Sequence, residues 1–363
     1  MYEAAARQPS QSKASGPKLD VSLLSVATAT PPNLVKQAEV IAGTKEVFGH
    51  QFNDFDRIAA MFASAGIEER YTIRPSDWYY GAHGWPERMA AYTEGALALF
   101  IEAAGKALDA AGVAAEEVDT IVTVSSTGIA APSIEARAMR ALGFRSDVRR
   151  VPVFGLGCAG GVAGLALGAE LAMARPGSIV LMVTIELCSL AVRRDQPNMA
   201  NMVALALFGD GAAAVVLSSA VAGHARIVEA GHHTWPNTLD IMGWKVDPVG
   251  FGVIFDQSIP AFARARLGHA VDKILTAQSS TREDIGRFVC HPGGRKVVEA
   301  IEGALALEPG SLDHEREVLR RFGNMSAPTA LFVLERAMTG KLPERSVVMA
   351  LGPGFTVSTV TLA

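Results

Sequence analysis

Cysteine is scarce. The three in the chain, Cys158, Cys188 and Cys290, form no C-x-x-C pair and no even framework. That excludes a disulfide scaffold and reads as a reduced, cytoplasmic protein. Charge is equally sparse, at 19% of 363 residues, with 33 Lys and Arg against 37 Asp and Glu. The net charge of -4 gives no basic excess for nucleic acid and no block for an acidic membrane surface. A hydrophobic share of 49% excludes a disordered chain. The polar start, Met1 to Pro17, lacks the apolar core of a signal peptide, so residues 1–18 are expected to be a flexible tail.

One uncharged run, Val151 to Ala169, approaches the length of a membrane span. It holds Pro152 and the six glycines Gly155, Gly157, Gly160, Gly161, Gly164 and Gly168. It reads better as a buried strand, a tight turn and a buried helix, so no membrane span is expected. Other apolar runs, at Val118 to Val124, Ser178 to Thr184 and Ala212 to Leu217, also read as buried strands. Helical stretches lie between them, at Ala91 to Ala111 and Ser133 to Leu142. This alternation is the mark of an α/β class.

The chain repeats its own pattern at an offset of about 167 residues. Lys106 and Leu108 lead through Val118 to TIVTV, as Lys273 and Leu275 lead through Ile285 to RFVC. SIVLMVT is echoed by SVVMAL, and each half closes on a glycine pair and a strand. The expected halves are 19–222 and 223–363, facing each other about a pseudo-twofold axis. Cys158 from the first would then meet His291 and Asn324 from the second.

Cys158 lies in FGLGCAGG, between a strand and a glycine-rich helix start. A helix start favours the thiolate, so the thiol is expected to titrate below its free value. A buried inert cysteine is the bland alternative. Gly155-x-Gly157-x-x-Gly160 also fits a dinucleotide-binding turn, with Glu186 where a ribose-binding acid would stand. That reading leaves His291, in CHPGG, and Asn324, in FGNMS, unexplained. Either could be structural, Asn324 as a helix cap. The three together form a nucleophile with two hydrogen-bonding partners. His232-His233 has no third ligand at suitable spacing, so no metal is expected. Asp210, between two glycines, reads as a turn residue.

GCAGG, LFGDGAAAVV, HPGG, GNMS and LGPGFTV, in this order and spacing, resemble the type III polyketide synthases, relatives of chalcone synthase. The resemblance runs from about Val21 to Ala363. It implies a thiolase-like α/β fold: two similar βαβαβαββ-type halves in a five-layered αβαβα arrangement. It implies a homodimer that uses acyl-CoA starters and malonyl-CoA, with no cofactor. It makes Cys158, His291 and Asn324 the catalytic triad, and Phe208 and Phe255 gatekeepers. It places Thr127, Ala131, Cys188, Ala191 and Gly352-Pro353-Gly354 along the substrate pocket. Arg57, Arg295 and Lys296 are candidates for the CoA phosphates. The plant enzymes carry a methionine at the position of Ala131, and threonines at those of Cys188 and Ala191. RYTIRPSDWY, GWPERMAAYTEGA and DIMGWKV look like bacterial members, many of which turn fatty acyl-CoA into alkylpyrones or alkylresorcinols. Two other readings share the fold. One is a ketoacyl synthase of fatty-acid initiation, where His is followed by Gln-Ala-Asn and not Pro-Gly-Gly. The other is a catalytically silent partner subunit, which would usually lack the nucleophile.

Overall fold

The computed structural model describes residues 18–363, and the tail expected over 1–18 falls almost wholly outside them. The first half supplies β1 (Val21–Ala29), β2 (Asn33–Lys36), β3 (Glu69–Thr72), β4 (Thr120–Val124), β5 (Arg149–Val153), β6 (Ile179–Leu187) and β7 (Asp210–Ser218). Its helices are α1 (Gln37–Phe48), α2 (Phe55–Ala63), α3 (Trp85–Ala111), α4 (Ile134–Leu142), α5 (Gly160–Ala174) and α6 (Met199–Leu207). The second half supplies β8 (Ala225–Thr234), β9 (Met242–Val246), β10 (Phe251–Phe255), β11 (Arg287–Cys290), β12 (Ser346–Gly352) and β13 (Thr356–Leu362). Its helices are α7 (Ile259–Ala277), α8 (Arg295–Leu305), α9 (Asp313–Phe322) and α10 (Thr329–Ala337).

Nine strands form one sheet, ordered β11-β12-β13-β8-β1-β7-β6-β4-β5. Read inward towards the β8–β1 join, the two sides match. β4 runs parallel to β6, and β6 and β7, then β7 and β1, are antiparallel. β11 runs parallel to β12, and β12 and β13, then β13 and β8, are antiparallel. The half-sheets join where Val21–Leu23 pairs with Ala225–Ile227. The second half has no strand matching β5.

Strand periodicity sorts the core into layers. Ile121, Leu181 and Val183 face α3, where they meet Leu99, Phe100 and Ala103. Their neighbours Val122 and Met182 face inward, to Val162 and Leu165 of α5 and to Leu331 and Val333 of α10. Val348 closes this central layer from the other half-sheet. Val347 and Met349 point outward to Leu267 and Val271 of α7 and Val298 and Ile301 of α8. Helices, half-sheet, central helices, half-sheet and helices make the thiolase-like α/β architecture.

The uncharged run becomes β5, a turn and α5. Gly157–Ala174 is apolar and long enough to cross a membrane, but α5 is the central core helix, packed on β4 and β6 on one side and β12 and β13 on the other. β5 itself departs from expectation. It is the last strand of the sheet and is half-exposed, with Arg149, Arg150 and Pro152 open to solvent. An apolar run does not reveal that its strand stands at an edge, where Pro, lacking an N–H, is tolerated.

Candidate active site

The two central helices bring the candidate residues together. Cys158 lies in a one-turn helix, Gly157–Ala159, leading into α5. A side-chain carbon on Gly161 would stand 2.2 Å from the Ala327 carbonyl oxygen, so only glycine lets the start of α5 meet the segment entering α10. That segment carries Asn324 and Ser326. Both side chains act to favour the Cys158 thiolate, against the burial that opposes it. The turn is held from behind, because Ser126 Oγ accepts the N–H groups of Gly155 (3.2 Å) and Gly157 (3.1 Å).

Asn324 is 1% exposed, held through its backbone and side chain with one Nδ2 hydrogen left over. Its N–H donates to the Leu207 carbonyl at 2.7 Å, and its own carbonyl accepts from Gly209 N–H at 3.0 Å. Phe208 therefore lies beside it in a bridge between the halves. Asn324 Oδ1 accepts Ser326 N–H at 2.8 Å, and Nδ2 donates to the Gly293 carbonyl at 3.1 Å. Asn324 is thus no simple helix cap, since α10 begins only at Thr329. Gly293 lies two residues beyond His291, and its N–H donates to the His291 carbonyl at 3.1 Å. His291 is 3% exposed, and neither ring nitrogen has a hydrogen-bond partner among the described residues. A buried, unpartnered imidazole is left free for a ligand.

Burial sets the protonation states here. It pushes the Cys158 thiol up to about 11, partly opposed by Ser326 and Asn324. It pushes the His291 imidazole down to about 4. The expectation of a lowered thiol is therefore reversed. The helix start cannot offset the desolvation of buried Cys158, and a neutral imidazole lends it no charge. Burial thus favours the uncharged form of both groups.

The expected pocket residues divide. Gly352 packs on the Cys158 turn, where a side-chain carbon would meet Ala159 N at 2.6 Å, and Pro353 lies against Gly157. Cys188 and Ala191 are buried in a one-turn helix after β6, and Cys188 clusters with Leu207 and Phe208. Phe208 and the half-buried Phe255 join the same cluster, with Trp244 set edge-on to Phe208 at 6.3 Å. Thr127 is buried and donates to Glu186 at 2.8 Å. Ala131 is the exception: it is exposed, two residues beyond the exposed Ile129. The loop after β4 carries it outward to the surface.

Arg57 and the adjacent pair Arg295 and Lys296, distant from it in sequence, line one cleft of about 670 Å³ with Phe255, Gly293 and Gly294. Asp54 and Asp256 share its wall. The cleft therefore joins exposed cations to the glycine that Asn324 grips. Among the described residues no group of three His, Cys, Asp or Glu is placed to hold a metal.

Several neighbours escaped the sequence reading. Ser326, inside the GNMS motif, has a left-handed φ of 59°, unusual for serine. Trp244 donates its indole N–H to the Ser126 carbonyl at 2.8 Å. Glu186 is no ribose ligand: it is fully buried and accepts from Ser126 N–H at 2.9 Å as well as from Thr127. Asp210 is no turn residue either. It opens β7, fully buried, and accepts Ser189 N–H and Ile73 N–H, each at 2.8 Å. It thereby fixes the turn that carries Cys188 and Ala191.

Residues 7–221 match the N-terminal domain of the chalcone and stilbene synthases, and 226–363 match their C-terminal domain. A 1,3,6,8-tetrahydroxynaphthalene synthase of Streptomyces peucetius subsp. caesius is 38% identical over 94% of this chain and 92% of its own. A putative chalcone synthase of Bacillus subtilis is 34% identical over 92% and 96%. Among solved structures, the tetrahydroxynaphthalene synthase of Streptomyces coelicolor A3(2), a bacterial type III polyketide synthase, superposes with a TM-score of 0.90. It is 24% identical, covers 94% of this chain and 99% of its own, and shares the fold. The chain belongs to the chalcone and stilbene synthase family, the type III polyketide synthases. It is an acyltransferase that works by decarboxylative condensation with malonyl-CoA.

Proposed function

We propose that the enzyme loads a medium- or long-chain fatty acyl-CoA on Cys158, extends it with malonyl-CoA and cyclises it to an alkylpyrone or alkylresorcinol. The observation that carries this reading is the convergence of Cys158, Asn324 and the His291–Gly293 strand end beside a cleft lined by Arg57, Arg295 and Lys296. Residues 19–222 bring the nucleophile, and 223–363 bring His291 and Asn324. No cofactor is required, because both substrates arrive as CoA thioesters.

The chemistry follows from the protonation states. Neutral His291 takes the Cys158 proton as sulfur attacks the starter thioester, then returns it to the departing CoA thiolate. The Asn324 amide and the imidazole N–H then donate to the thioester oxygen of malonyl-CoA. Loss of carbon dioxide leaves an enolate, and one such donor contributes about 3–4 kcal/mol to its stabilisation. The enolate carbon attacks the acyl-Cys158 carbonyl, and the sulfur leaves as thiolate. Phe208 and Phe255 exclude water from these intermediates.

The aliphatic starter is favoured by the small residue Ala191 and by Cys188 in the wall. A cytoplasmic homodimer is part of the reading. Ile129 and Phe154, each 54% exposed, form apolar surface on the β4–α4 loop and just after β5. Across such an interface Ala131 would reach the pocket of the partner, which reconciles its exposure with its expected role.

A second reading is an enzyme forming tetrahydroxynaphthalene, favoured by the 38% identical relative. That product is a fused aromatic with no alkyl tail. Mass spectrometry of products from malonyl-CoA alone, and with acetyl- to octadecanoyl-CoA, separates the two. Tailed pyrones or resorcinols from the long starters support the proposal. Tetrahydroxynaphthalene from malonyl-CoA alone, with no tailed product, overturns it.

A further inference from the structure

β11 ends its half-sheet, so the N–H groups on its outer edge have no strand to bond. Its last residue, Cys290, is fully buried, and its N–H cannot reach water. The partner is a carboxylate. Glu315 of α9 accepts the Cys290 N–H through Oε1 at 2.8 Å. Glu315 is also fully buried, and Oε2 has no hydrogen-bond partner among the described residues. Its nearest cation, Arg287, stands 3.6 Å away and donates to Asp313 instead. Burying a weakly paired carboxylate costs several kcal/mol, more than capping one amide returns. Stability alone therefore does not account for a glutamate at this place.

The residues just beyond Cys290 supply a reason. His291 donates its N–H to the Met349 carbonyl on β12 at 2.9 Å, so the strand end is gripped from both edges. The His291 carbonyl takes the Gly293 N–H, and the Gly293 carbonyl takes the Asn324 amide. One unbroken run of bonds leads from Glu315 to both candidate donors.

We infer that Glu315 is a positioning residue for the condensation: by holding the outer edge of the β11 end it fixes the His291 ring and, through Gly293, the Asn324 amide, at the separation that a developing enolate requires. The inference rests on the proposed roles of His291 and Asn324 as donors to malonyl-CoA. Glu315 acts through the backbone, because burial alone shifts the His291 ring.

The test compares Glu315→Gln, which keeps an acceptor oxygen in place, with Glu315→Asp, which withdraws it by one methylene. Malonyl-CoA decarboxylation and acyl loading of Cys158 are measured separately, with Asn324→Ala as reference. The expected result is a Gln variant within threefold of wild type in both. The Asp variant should lose tenfold or more of kcat for decarboxylation, with KM for malonyl-CoA within twofold and loading within threefold. Equal losses in both half-reactions, an Asp variant like wild type, or a Gln variant worse than Asp overturns the inference. If the Asp variant does not fold, the Gln variant decides. Its ratio of decarboxylation to loading must match wild type, and a tenfold change overturns the inference. An Asn324→Ala enzyme that decarboxylates normally overturns instead the underlying assignment of the site.

Discussion

Replacing Glu186 with glutamine removes a buried ionisable group while keeping the shape of its side chain. Oε2 accepts from Ser126 N–H and Thr127 Oγ1, and Oε1 has no partner among the described residues. Burial raises the carboxyl from 4.5 to about 8. Between those values the folded protein holds a proton that the unfolded chain has released. This contribution to stability is fully present below pH 4.5 and is lost as pH rises towards 8. Over that window the loss is at most about 5 kcal/mol. For a chain of 363 residues this is a Tm difference of roughly 6 °C. A glutamine carbonyl can accept both bonds at Oε2, while its NH₂ stands unpartnered at Oε1. That adds a constant penalty of about 1–3 kcal/mol that does not depend on pH. Thermal unfolding of both proteins from pH 5 to 8.5 is the assay. Wild type should lose stability relative to Glu186→Gln as pH rises, with the gap moving by several degrees. Asp210 and His291 titrate in both proteins and cancel in the difference. A gap that stays flat across the range would refute the reasoning.

Three further outcomes are expected. Alkylation of Cys158 by iodoacetamide should rise towards alkaline pH with a midpoint above the roughly 8.5 of a free thiol, since burial raises it and His291 is neutral; a midpoint below that value would establish a resting ion pair. Asn324→Ala should lose roughly 100-fold in malonyl-CoA decarboxylation, the scale of one oxyanion donor, and far less in starter loading; equal losses would indicate a scaffold role. Ala191→Phe should shift the kcat/KM optimum to shorter acyl-CoA starters, each excluded methylene forgoing about 0.8 kcal/mol of transfer energy; an unchanged length profile would remove Ala191 from the pocket.

The parts legible in the sequence are those written in local pattern. β4, β6 and β7 stand out because strands covered on both faces read as apolar runs. The repeat stands out because each half builds the same strand order. β5 misleads, because a short apolar run carries no sign of whether another strand lies beyond it. Cys158, His291 and Asn324 announce themselves through glycine-rich turns. Glu186 does not, because its partners stand 60 and 59 residues away in a different loop. Trp244 is hidden in the same way, 118 residues from the carbonyl it holds. Ala131 is placed in the pocket by likeness to a family, and likeness does not show that its loop turns outward to the surface.

The direction of the pKa shifts is the least legible feature, and it bears most on the chemistry. Helix start and histidine are local facts, and both argue for a thiolate. Burial is a property of the whole fold, and here it outweighs them. Cys158 is pushed up, His291 down and Glu186 up, so each favours its uncharged form in the free enzyme. In the proposed mechanism charge then arises only during the reaction, on the sulfur after proton transfer and on the enolate after loss of carbon dioxide. A donor such as the Asn324 amide is worth more in such surroundings than in water, because little solvent screens it and it is already held by Gly293 and Ser326. The desolvation that disfavours the resting ion pair thus strengthens the hydrogen bonds on which the condensation depends.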